Sequence, residues 1–130
     1  MVKPEVVAEG KFDEIARMTR EAVFAMHGFE LIHLGINCPD EKEALAGAER
    51  LAALFGMAVK DGNSSAFVGK GFEFMKSMYL GEKGHVAVGC NDVMRAAAFL
   101  KRKGIASLPE TEKKKDGRTV ALTVRPATRD

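Results

Sequence analysis

Tryptophan is absent from this 130-residue chain, Tyr79 is its single tyrosine, and its two cysteines do not form a C-x-x-C pair. These shortages exclude several classes of function. Twenty basic residues against eighteen acidic ones leave a formal charge of only +2, far from the one-faced basic patch with interleaved aromatics that nucleic-acid binding calls for. Much of that small excess comes from Lys113, Lys114, Lys115, Arg125 and Arg129. No apolar run is long enough to span a bilayer, and the opening MVKPEVVAEGK lacks the apolar centre of a signal peptide. The expectation is a soluble cytoplasmic protein that engages neither nucleic acid nor membrane. Without metal-finger or redox spacing, Cys38 and Cys90 read as small core residues of a reducing compartment and not as a disulfide. With 46% hydrophobic residues, the chain can bury one ordinary core.

What the chain does contain is a repeat. HLGINCPD at 33–40 returns as HVAVGCND at 85–92, so His33, Cys38 and Asp40 recur as His85, Cys90 and Asp92. Each copy reads as a strand opened by a histidine, an Asp placed to cap a helix, and an Ala/Leu-rich amphipathic run. Two such modules facing one another bring His33 and His85 together near a pseudo-two-fold axis, and paired imidazoles in a cleft are a common start of a metal site.

Ahead of the first copy, Ile15, Ala16, Thr19, Ala22, Val23 and Met26 follow helical spacing, with Asp13 and Glu14 opposing the helix dipole and Gly28 ending the helix. Residues 30–38 then alternate as a strand. Ile32, Leu34 and Ile36 share a face expected to meet helices, while His33, Gly35 and Asn37 share the other, small and polar like the floor of a groove. Ala44, Leu45, Ala48, Leu51, Ala52 and Phe55 form a helical stripe ending at Gly56. Short β segments at 57–60, 64–68 and 72–77 follow, separated by Gly-containing turns. The second copy predicts a strand from His85, a helix over 92–103, and a hairpin closing at Asp116-Gly117. RPATRD is too short and polar for one more strand, so the second module is expected to be truncated. Strand parity places Glu73 with Met75, and His85 with Asn91, on faces able to open into the groove, giving Asn37, Met75 and Asn91 as candidate pocket residues. Lys70, Lys76 and Lys83 read as ordinary surface lysines, and His27 as an imidazole at a helix C-terminus.

The stretches IHLGINCPDEKEALAGAERLAALFGMAVK, SSAFVG, FEFMKS and GHVAVGCNDVMRAAAFLKRKGI resemble the vicinal oxygen chelate superfamily, which includes glyoxalases and extradiol dioxygenases. The resemblance covers about residues 30–124 and implies an α+β fold of paired βαβββ modules cupped around a divalent metal. It carries metal-ligand roles onto His33, Glu73 and His85, with Zn, Ni, Mn or Fe as the candidate ions. The family's fourth ligand has no counterpart here, because its strand is the missing one.

VKPEVVAEGKFDEIARMTREAV is similar to the last segment of the barrel in 2-keto-3-deoxy-6-phosphogluconate/4-hydroxy-2-oxoglutarate aldolases, some of which continue into a chelate-fold domain. That resemblance implies an aldolase-like tail over 1–29 and an appended domain over 30–130. No residue matches the aldolase Schiff-base lysine, so aldol cleavage by this chain alone is not expected. The implied function is a small-molecule-binding or regulatory module taking a small oxo-acid or sugar-acid. A metal-dependent glyoxalase-like lyase or isomerase and a metal-free oligomerisation scaffold are the alternatives. An unpaired sheet edge near His85 makes a homodimer the expected assembly.

Overall fold

A computed structural model describes residues 3–4 and 10–126. Residues 1–2 and 5–9 of the stretch likened to an aldolase tail, and 127–130 of RPATRD, lie outside the described residues. Among those described the chain is α+β: helix α1 (Phe12–His27), strand β1 (Glu30–Asn37), helix α2 (Glu41–Phe55), strands β2 (Val59–Asp61), β3 (Ser65–Val68), β4 (Phe72–Met75) and β5 (Gly84–Gly89), helix α3 (Val93–Arg102), and strands β6 (Ile105–Lys115) and β7 (Arg118–Pro126). No helix of the described residues is long and apolar enough to cross a membrane. The chain forms two compact units. One is Glu30–Gly89, and the other joins the residues up to Phe29 to those from Cys90 onward.

The Glu30–Gly89 unit is a five-stranded sheet in the order β2-β3-β4-β1-β5. Strand β1 runs parallel to β4 and antiparallel to β5. Leu34 faces Val86, its own counterpart in the repeat, while His33 faces Ala87 and Gly35 faces His85. The pairing is therefore symmetric about Leu34 and Val86, and that symmetry sets the two histidines on one sheet face. Asp40 caps α2 by accepting from the Glu43 amide at 2.8 Å, which meets the N-terminal donors a helix leaves open.

Helix α2 packs on β2, β3 and β4, where Ala44, Ala48, Ala66, Val68 and Phe74 form a buried cluster with Cys38. Small residues let the helix approach closely: a Cβ on Gly47 would stand 2.9 Å from the Phe74 ring. Val68 is fully enclosed, a burial that stabilises by about 1.5–3 kcal/mol. The expected stripe is confirmed at Ala44 and Ala48 and corrected at Phe55, which is exposed in the last turn. A second correction concerns β1. Ile32, Leu34 and Ile36 remain exposed because α2 covers the β2–β4 side of the sheet and its packing does not extend over β1.

In the other unit, α1 ends at Gly28, whose left-handed backbone (φ 61°) suits a residue without a side chain. Asn91 binds this helix end twice, its amide N–H donating to His27 O at 2.8 Å and its Nδ2 to Met26 O at 2.9 Å. His27 is only 2% exposed, stacked on Phe29 at 4.9 Å and against Phe99 at 4.7 Å. It is thus a core residue of this unit, where sequence reasoning saw only a helix terminus. The contacts of α1 differ as well, with Ile15, Met18 and Val23 half-buried and Ala16, Ala22 and Met26 exposed. Asp92 caps α3 as Asp40 caps α2, and α3 packs on the β6–β7 hairpin.

Candidate metal centre

The site face of the sheet is a grid of rows running across the strands. One row is His85, Gly35, Glu73 and Phe67, from β5 through β1 and β4 to β3. The next is Asn37, Met75 and Ser65. His85 and Glu73 thus sit two strands apart, about 10 Å at ordinary strand spacing, and their side chains meet only by leaning over the residue between them. That residue is Gly35. A Cβ there would lie 2.0 Å from Cε1 of His85 and 2.3 Å from its Nδ1, so the imidazole occupies the space that any other residue would fill.

The result is a convergence of three side chains. Glu73 Oε2 lies 3.0 Å from His33 Nε2 and 3.2 Å from His85 Nε2, and the two Nε2 atoms are 3.0 Å apart. All three side chains are largely enclosed, at 20%, 13% and 30% exposure for His33, Glu73 and His85. With the carboxylate ionised, protons alone would bring two N–H donors onto one oxygen and leave the contact between the two Nε2 atoms without a lone pair. A single cation answers all three lone pairs at once. With metal bonds of about 2.0–2.2 Å, neighbouring ligands stand about 3 Å apart on an octahedral face and about 3.4 Å apart in a tetrahedron. The three atoms stand close to such ligand-to-ligand spacings, and the group can hold one metal ion.

A scan against protein-family models, a search of curated proteins and a search of solved structures each return no match to this chain. The chemistry of the site therefore rests on its own geometry.

The neighbours fix the triad in different ways. Ser65, only 5% exposed, donates from Oγ to Glu73 Oε1 at 2.7 Å and so turns Oε2 toward the histidines. The Phe67 and His33 rings pack perpendicular to one another at 5.6 Å between centroids. His85 Nδ1 is buried with no partner among the described residues, as is Asn37 Oδ1.

The candidate pocket residues divide. Met75 is buried and lies on the site face between Asn37 and Ser65. Asn37 lies on that face too, but its Nδ2 is engaged by the carbonyls of Tyr79 at 3.2 Å and Gly81 at 2.9 Å, holding the loop that joins the Glu73 strand to the His85 strand. Asn91 belongs to the other unit, and its side-chain amide is spent on the end of α1. Sequence reasoning missed Ser65, and the signal for it was its parity with Phe67 on β3, readable only once the β3–β4 register is known.

The remaining candidates are structural. Lys76 Nζ is clamped by Asp61 at 2.6 Å, Glu41 at 3.1 Å and the Gly62 carbonyl at 2.7 Å, and its ammonium is held above the ordinary lysine range chiefly by the Asp61 hydrogen bond. Cys38 and Cys90 are both free thiols. Burial first, then the carboxylates of Glu43 and Asp40, push the Cys38 thiol up, which keeps it protonated and a poor nucleophile.

Proposed function

We propose that this protein is a glyoxalase-like module that binds one divalent metal ion through His33, Glu73 and His85 and takes a small oxo-acid or sugar-acid at the positions those residues leave open. The observation that carries this is the triangle of ligand atoms, 3.0 to 3.2 Å on a side, drawn from two imidazoles and one carboxylate in a largely enclosed site. Two imidazoles and one carboxylate would suit Zn, Ni, Mn or Fe. A bound divalent ion would supply Lewis-acid polarisation of a carbonyl and a template for adjacent oxygens.

The chain's own residues then have defined tasks. His33 and His85 present Nε2 lone pairs, Glu73 offsets part of the ion's charge, and Phe67 lends an apolar wall beside His33. The order βαβββ over residues 30–75 and βαββ over residues 84–126, with repeat counterparts facing each other at Leu34 and Val86, supports the paired-module resemblance. The similarity of the N-terminal segment to an aldolase tail supports an oxo-acid or sugar-acid as ligand. Metal analysis of protein purified without chelators tests the reading: one equivalent of a transition metal supports it, and metal-free protein that takes up none on addition refutes it.

A specific observation also favours self-association. Strand β5 ends its sheet, its Val86 and Val88 are exposed, and Gly84–Gly89 carries neither lysine nor proline to guard the edge. We propose a homodimer in which the β5 edges of two copies pair antiparallel across a two-fold axis.

A further inference from the structure

We infer that Ser65 is a positioning residue that holds Glu73 as a one-oxygen ligand and thereby sets how many coordination positions stay open. The inference rests on the metal reading above. A carboxylate has two equivalent oxygens and turns readily about its last bond, so nothing in Glu73 itself decides whether it offers one oxygen or both. Ser65 decides it. Its Oγ lies 2.7 Å from Oε1 while Oε2 alone faces His33 and His85. On the sheet, Ser65 pairs with Met75 and Phe67 pairs with Glu73, so Ser65 approaches Glu73 diagonally on the same face. The hydroxyl is buried, and a buried donor that loses its acceptor is costly, so the contact resists rearrangement.

Ser65 is itself held in place. Its carbonyl accepts from the Gly62 amide at 2.9 Å, and the neighbouring Ser64 carbonyl accepts from the Lys76 amide at 3.0 Å. The Gly62 carbonyl is in turn gripped by Lys76 Nζ at 2.7 Å. The clamp at the turn thus fixes the start of β3, β3 fixes the hydroxyl, and the hydroxyl fixes the carboxylate. With Glu73 bound through one oxygen, an octahedral ion keeps three open positions, and with both oxygens bound it keeps two. Contacts of this kind, made to a ligand and not to the ion, typically govern metal affinity by about 10- to 100-fold.

The test loads full-length wild type, Ser65→Ala and Ser65→Thr with cobalt(II), measuring affinity by calorimetry and coordination by visible absorption, with thermal unfolding of each metal-free protein alongside. The expected result for Ser65→Ala is affinity weaker by about 10- to 100-fold and an altered cobalt spectrum, with the metal-free protein still folding cooperatively at a modestly lowered midpoint. Ser65→Thr, which keeps the hydroxyl, is expected to keep the wild-type spectrum. Wild-type affinity and spectrum in Ser65→Ala, or equal losses in both variants, would overturn the inference while leaving the metal reading intact. Failure of wild type to bind cobalt would overturn both.

Discussion

The imidazole of His85 occupies the space above Gly35 that a side chain would otherwise fill, since a Cβ on Gly35 would stand only 2.0 Å from its Cε1. This absence of a side chain is what lets His85 on β5 reach Glu73 on β4 across the intervening β1. Gly35→Ala should therefore displace the ring and weaken metal binding by at least about 10-fold, the scale on which supporting contacts act. Gly71→Ala is the control, because a Cβ there meets nothing within 4 Å. Calorimetric titration of the two variants should separate them, and equal affinities would contradict the role given to Gly35.

Asn37 should act on the loop and not on the ligand. Its Nδ2 holds the Tyr79 and Gly81 carbonyls, and Asn37→Leu removes both bonds at a cost of about 1–2 kcal/mol in urea unfolding. Protease cleavage near the exposed Met78, Tyr79 and Leu80 should accelerate in the variant. Unchanged cleavage would mean that the loop is held by other contacts.

The Lys76 clamp predicts a pH dependence with a definite sign. Its folded-state value is raised above the ordinary 10.5 by Asp61 and Glu41, so its stabilisation is complete below about 10.5 and is lost as pH rises through the raised value. Lys76→Met should lower stability at neutral pH and flatten the alkaline decline. Urea midpoints measured from neutral to strongly alkaline pH would show it, and parallel curves for variant and wild type would count against the clamp.

Cys38 should react slowly with iodoacetamide in the folded protein, since burial and the nearby carboxylates keep the thiol protonated. Mass spectrometry of partly alkylated protein should find the label on Cys90, which is the less buried thiol. Label first on Cys38 would show that its site opens readily.

Pairing of β5 edges predicts a dimer that Val86→Lys converts to monomer without loss of fold, because Val86 is exposed in the single chain. Sedimentation of both proteins at micromolar concentration decides the matter. A monomeric wild type would remove the proposed dimer.

Much of this arrangement was legible in the sequence because the repeat spoke for it. The pairs His33 with His85, Cys38 with Cys90 and Asp40 with Asp92 marked two strand-to-helix modules, and both Asp residues do cap helices. The strand alternation in ELIHLGIN correctly separated His33, Gly35 and Asn37 from Leu34 and Ile36. What sequence could not supply was register. Whether Glu73 stood beside Gly35, and Ser65 diagonal to Glu73, depends on how β3, β4 and β1 align, and a slip of one residue would turn each side chain to the other face. His27 was misread for a similar reason, since its burial depends on Phe99, distant in the chain, packing against it.

The most direct measurement is a calorimetric titration of the metal-free protein with Mn, Fe, Co, Ni and Zn, for wild type and for His33→Ala. The account predicts one ion bound per chain by the wild type and loss of that binding when His33 is removed. Binding that survives the substitution, or a wild type that takes up no ion, would contradict it.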